Sequence, residues 1–259
     1  MRGWWQDLSD LVLPAQCPGC GRSRTSLCTR CAEALRGAGP GRVRPRPEPP
    51  GLPVVHAAAP YQDAVRAVLL AHKERGALWL ARPLGEALAG AVRAGLSSGG
   101  GGAVALVPMP SAPSAVRARG HDPTRRLAYA AAAGLRRAGV PARVLAVLRQ
   151  RRAVADQSGL DARQRLVNVA GALDVVGGTA GLLTEVGRIV LVDDLMTTGA
   201  SLAEAARAIR AVARPGTVGV TDERAGLFRS RSGMGMANRI TVRAAVIAAS
   251  PDSFEINRN

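Results

Sequence analysis

Residues Ile189 to Ser201 read IVLVDDLMTTGAS, and this stretch constrains the fold more than any other. Four consecutive apolar residues are followed by two acids, a turn rich in hydroxyls, and an amphipathic run with Leu202, Ala205, Ile209 and Val212 on one side. A strand that is apolar at every position, not at alternate ones, needs cover on both faces. The run after the turn has helical period. The segment is therefore read as a buried strand (Ile189–Val192) feeding a helix (Ala200–Val212), the repeating unit of a parallel sheet sandwiched by helices.

The rest of the chain fits that reading. Short apolar runs at Val54–Ala59, Val104–Val107, Val144–Leu148, Val218–Val220 and Ile240–Ala249 read as strands. Helical spacing marks Asp63–His72, Leu78–Ala94 and Asp122–Arg137. Strands alternating with helices give an α/β fold with a mainly parallel sheet. Only 3% of residues are aromatic while 47% are hydrophobic, so the core must be made from Ala, Val and Leu. Ser97–Gly102 reads as a flexible connection. Gly37–Pro53 is rich in Pro, Gly and Arg and reads as an extended linker. The chain thus divides into a cysteine module (1–36), a linker (37–53) and an α/β domain (54–259).

Each part of the central segment has a chemical use. Ligands of parallel sheets bind at the carboxyl ends of the strands. Asp193 and Asp194 can accept hydrogen bonds from two vicinal hydroxyls and can assist a hydrated Mg²⁺. Thr197, Thr198 and Ser201 offer hydroxyls, Gly199 allows close backbone approach, and the free N–H groups at Ala200 open a helix whose positive end suits an anion. A ribose 5-phosphate satisfies all of these together. A Walker loop and a dinucleotide glycine fingerprint are both absent.

All four cysteines fall within fifteen residues, as Cys17-Pro-Gly-Cys20 and Cys28-Thr-Arg-Cys31. Two C-x-x-C knuckles supply four thiolates to one tetrahedral zinc, a closed and structural site. Gly19 and Gly21 give the first knuckle its turn. Disulfides are disfavoured in a chain whose N-terminus does not read as an export signal, and a redox pair would need only one knuckle. Trp4 and Trp5 are expected to pack on this module.

The formal charge is +16, and Lys73 is the sole lysine among the basic residues. Such a balance suits polyanionic partners or a solvated arginine-rich surface. No apolar run approaches the ~18 residues of a membrane span, and a cytoplasmic location is expected. The Arg149–Asn168 stretch has no apolar period and carries Arg149, Arg151, Arg152, Arg163 and Arg165. It reads as a mobile flap whose guanidinium groups suit phosphate oxygens.

Taken together these segments resemble the ComF/GntX family of competence-associated, type I phosphoribosyltransferase-like proteins. The resemblance rests on the paired knuckles, Val107-Pro108-Met109-Pro110, Arg119-Gly120-His121-Asp122, Gln157-Ser158-Gly159-Leu160, Arg165-Leu166-Val167-Asn168-Val169-Ala170-Gly171-Ala172 and the acidic loop. It covers about Cys17 to Val212. It implies a type I phosphoribosyltransferase fold that binds phosphoribosyl pyrophosphate (PRPP) with Mg²⁺. In that picture Asp193 and Asp194 hold the ribose hydroxyls, and Thr197, Thr198, Gly199, Ala200 and Ser201 hold the 5-phosphate. Pro108, Met109, Pro110 and Ser111 form the pyrophosphate loop, Arg119 and Lys73 lie beside it, and the flap arginines answer the pyrophosphate charge. The activity implied is transfer of phosphoribose to an acceptor that the sequence does not name. The alternatives are a DNA-uptake accessory that binds single-stranded DNA or competence proteins, and a PRPP sensor without turnover. His121 departs from the aromatic residue frequent at its place, and 221–238 looks like an insertion. The oligomeric state stays open, a homodimer being one option.

Overall fold

The computed structural model describes residues 16–96, 102–152, 161–213 and 240–254. The expectations for Trp4 and Trp5, for 97–101, for the strand at 218–220, for the insertion at 221–238 and for the Gln157–Leu160 motif lie outside the described residues.

The chain forms helix α1 (Thr29–Ala34), strands β1 (Gly41–Val43) and β2 (Val55–Pro60), helices α2 (Asp63–Glu74) and α3 (Ala81–Gly95), and strand β3 (Val104–Pro108). Helices α4 (Pro113–Arg119) and α5 (Pro123–Arg137) precede β4 (Ala142–Val144), β5 (Leu148–Gln150), α6 (Ala162–Val169), β6 (Leu173–Val175) and α7 (Ala180–Val186). Strand β7 (Arg188–Met196), α8 (Ala200–Val212) and β8 (Thr241–Ala249) complete the described order of helices and strands. No described helix is long and apolar enough to cross a membrane.

Six strands form one sheet in the order β1-β2-β8-β7-β3-β4, parallel throughout except for the antiparallel edge strand β1. Strand alternation divides the core cleanly between its two faces. Val190 and Val192 of β7 join Leu106, Ile247 and the helices α2, α3 and α5, through Val68, Leu84, Leu88, Leu127 and Leu135. Ile189 and Leu191 turn to the other face with Val107 and Val246, under Leu202 and Ile209 of α8. Alanines such as Ala87, Ala91, Ala128 and Ala131 fill much of the first core. Small side chains let α3 and α5 pack closely, which is how a core nearly without aromatics is filled.

Two segments differ from the sequence reading. The run Val144–Leu148 is not one strand. Val144 ends β4 beside β3, whereas Leu148 begins β5, which pairs with β6 as a separate antiparallel hairpin. The Pro/Arg-rich 37–53 stretch is not merely a spacer. Val43 is buried in β1, and Arg44 N–H bonds the Ser253 carbonyl.

Strand β3 lies between β4 and β7. The chain leaves β3 through α4 and α5 to reach β4 on one side, and β7 then joins on the other. Connections diverge at this pair, so a crevice opens at the carboxyl ends of β3 and β7.

Candidate functional site

Strand β7 extends to Met196, beyond the expected end at Val192, so Asp193 and Asp194 are strand residues held by pairing with β8 at Val246 and beyond. Asp193 Oδ1 accepts a hydrogen bond from the Asp194 N–H at 2.8 Å. Asp194, only 6% exposed, receives the Lys73 Nζ at 2.8 Å from the last turn of α2. Burial and the neighbouring Asp194 charge push the Asp193 carboxyl well above the usual carboxylate range, against the pull of Lys73. Burial lowers the Lys73 amine, but the Asp194 and Asp193 charges outweigh it and hold the amine above its ordinary value.

The turn after β7 carries Thr197 and Thr198, then Gly199 at φ 75°, then the first residue of α8. A β-carbon at Gly199 would meet Leu52 Cδ1 at 3.0 Å. The left-handed backbone favours glycine there, and the close passage of Leu52 leaves little room for a side chain.

Across the crevice, Met109 N–H donates to the Val192 carbonyl, which prolongs the β3–β7 pairing past the end of β3. Ser111 Oγ donates to Asp122 Oδ1 at 3.0 Å. The same oxygen accepts the Arg125 N–H as the N-cap of α5. Arg119 grips Glu74 with two hydrogen bonds of 2.9 and 2.8 Å. The Lys73–Asp194 and Arg119–Glu74 pairs together fasten the end of α2 to β7 and α4.

These groups line one cleft of about 680 Å³. Lys73, Met109, Pro110, Ser111, Arg119, Asp193, Asp194 and the whole Thr197–Ser201 turn all reach it. Pro108 does not, being the buried last residue of β3, paired with Val192. Thr124 and Gln150 also line the cleft and were not singled out by sequence. Gln150 Nε2 reaches the Pro110 carbonyl at 3.4 Å. Its place on β5 could have been read only by recognising the β5–β6 hairpin.

The Arg-rich stretch separates into parts. Arg149 and Gln150 lie in β5, and Arg163 and Arg165 lie in α6, a helix opened by a capping box between Asp161 and Gln164. The intervening 153–160 lie outside the described residues. Arg165 Nη1 donates to Thr197 Oγ1 at 3.0 Å. The sequence reading has the arginines of this stretch answer the pyrophosphate charge; in the structure Arg165 touches the turn after β7.

Behind Lys73, His72 is fully buried, with its ring edge-on to His121 at a centroid distance of 6.2 Å. Burial, and then the positive potential of His121, lower the His72 imidazole to about 4, so it is neutral near pH 7. His121 Nδ1 lies 3.0 Å from the Arg119 carbonyl.

A second centre lies at the N-terminal end. The Sγ atoms of Cys17, Cys20, Cys28 and Cys31 all fall within 4.8 Å of one another, and none is in a disulfide. A tetrahedral zinc with Zn–S bonds near 2.3 Å sets neighbouring sulfurs about 3.8 Å apart, so four thiols so gathered fit a metal such as zinc. Burial pushes the Cys17 thiol up, but N–H groups of Cys28, Gly19 and Cys20 outweigh it and bring it down to about 6. Gly19 is required for space, because its β-carbon would fall 2.7 Å from Cys31 Sγ. The cluster packs on Ala64 of α2, the helix whose far end carries Lys73.

Compared with protein-family models and with curated proteins, the chain matches none.

Proposed function

We propose that the cleft binds PRPP and that the chain is a phosphoribosyltransferase of the type I fold. One observation carries this reading: the acid pair, the hydroxyl-rich turn into α8 and the Met109–Ser111 segment line a single cleft at the point where the sheet's connections diverge. The acid pair suits the two ribose hydroxyls. The turn, with α8 behind it, suits the 5-phosphate. The backbone at Met109–Ser111 lies opposite, where the pyrophosphate would extend.

Mg²⁺ fits the acid pair by its chemistry, since hard carboxylate oxygens are its preferred ligands. Among the described residues, Lys73 hydrogen-bonds Asp194 and not Asp193, and its charge leaves the Asp193 carboxyl still raised. When bound, Mg²⁺ neutralises charge on the pyrophosphate oxygens. The side chains do the positioning. Lys73 holds the Asp194 carboxylate in its orientation, and Asp193 accepts from the ribose. The β5–β6 hairpin with α6 borders the cleft and limits water around the anomeric carbon, where positive charge develops. The bond from that carbon to pyrophosphate breaks, the pyrophosphate leaves with the electron pair, and the acceptor's nucleophile forms the new bond.

Pyrophosphate release from PRPP and Mg²⁺ over a panel of nucleobases and amines tests turnover. Release with one acceptor, abolished in Asp193→Ala/Asp194→Ala, supports the transferase. PRPP binding without release for any acceptor would reduce the protein to a sensor.

A further inference from the structure

We infer that Arg165 is the phosphate-charge partner of the turn after β7, binding the 5-phosphomonoester of the ligand and not its pyrophosphate. The inference rests on the reading of the cleft as a PRPP site and assigns a residue within it.

The Thr197–Ser201 turn supplies hydroxyls, backbone N–H groups and a helix end, but no cation of its own. A phosphomonoester carries close to two negative charges near neutral pH. Partial charge at a helix end offsets only a fraction of that. Among the described residues, three cationic side chains line the cleft, Lys73, Arg119 and Arg165. Lys73 is engaged by Asp194 and Arg119 by Glu74. Among the described residues, Arg165 has no carboxylate partner; its bond goes to the Thr197 hydroxyl.

Two further observations support the assignment. Arg165 Nε is buried and, among the described residues, has no hydrogen-bond acceptor. A buried donor left unmade is costly, and a phosphate oxygen would relieve it after a small movement of the guanidinium. The fork geometry of arginine matches two phosphate oxygens at once. The helix carrying it is also fixed in place. Its start is locked by the Asp161–Gln164 capping box, and its end by Arg152, which donates to the Asn168 and Ala170 carbonyls at 2.9 and 3.0 Å. On the pyrophosphate side the corresponding bridge is made by neutral Gln150.

The test is titration of the full chain with ribose 5-phosphate and, separately, with Mg²⁺-pyrophosphate, for wild type, Arg165→Gln and Arg165→Lys. Circular dichroism and melting curves check that the variants fold. The expected result is a tenfold or greater loss of ribose 5-phosphate affinity in Arg165→Gln, a smaller loss in Arg165→Lys, and pyrophosphate affinity within twofold of wild type. Unchanged ribose 5-phosphate affinity overturns the assignment. So does a loss confined to pyrophosphate, which would restore the flap role, and so does tighter binding, which would make Arg165 an obstruction of the turn. Wild type that binds neither ligand would remove the PRPP site itself, and with it this role.

Discussion

Replacing Asp193 by Asn should stabilise the fold near neutral pH while removing ligand binding. The substitution keeps shape and the acceptor oxygen that takes the Asp194 N–H at 2.8 Å. It removes a carboxylate whose charge is disfavoured by burial and by Asp194. Repulsion between two close carboxylates at an effective dielectric near 20 amounts to a few kcal/mol. Lys73, hydrogen-bonded to Asp194, offsets part of it, because its charge also favours the Asp193 carboxylate. The net gain from Asn is about 1 kcal/mol, in the range common for relief of strain at functional sites. Its pH dependence is defined. A carboxyl whose folded pKa is raised binds its proton more tightly in the folded state. Its contribution is complete below the unfolded value and is lost as pH rises through the folded value. Asn and protonated Asp are nearly equivalent, so the variant should match wild type near pH ~3.5, gain on it as pH rises past the ordinary carboxylate value near ~4, and keep a constant advantage above the folded value. Urea unfolding at a series of pH values measures this. A variant less stable than wild type at pH 7.5, or a difference that does not change with pH, would refute the reasoning.

Two other perturbations have firm expectations. Gly199→Ala should cost about 1–2 kcal/mol from its left-handed backbone alone, more with the 3.0 Å approach of Leu52, and should weaken PRPP binding at least tenfold; melting curves and titration report both. Chelation, or Cys31→Ser, should remove one metal ion per chain by elemental analysis. Amides of α1 and the first knuckle should then lose at least tenfold of their hydrogen-exchange protection while β3, β7 and β8 keep theirs; uniform loss across the sheet would contradict a locally structural site.

The parts of the site legible in the sequence are those whose chemistry is contiguous. The acid pair, the turn and α8 fall in one run, and the four cysteines fall within fifteen residues. The sheet was legible because β3, β7 and β8 are buried on both faces and carry unbroken apolar runs. What the sequence hid was non-local or short. Lys73 and Asp194 are 121 positions apart, and Lys73 was hinted at only by the scarcity of lysine and by the family resemblance. Strand β1 has three residues and one buried side chain, Val43, inside a Pro/Arg-rich stretch. Helix α4 buries no residue, so it shows no period. The apolar run from Val144 to Leu148 spans two strands of different sheets because nothing polar marks the change. The side of the ligand that Arg165 serves depends on where α6 packs, which composition cannot reveal.

The central claim is that this cleft recognises PRPP, and calorimetric titration of the wild-type chain with PRPP in the presence of Mg²⁺ tests it most directly. The account predicts saturable one-to-one binding that requires Mg²⁺ and disappears in Asp193→Ala/Asp194→Ala. No heat and no thermal stabilisation of wild type at millimolar PRPP would contradict it.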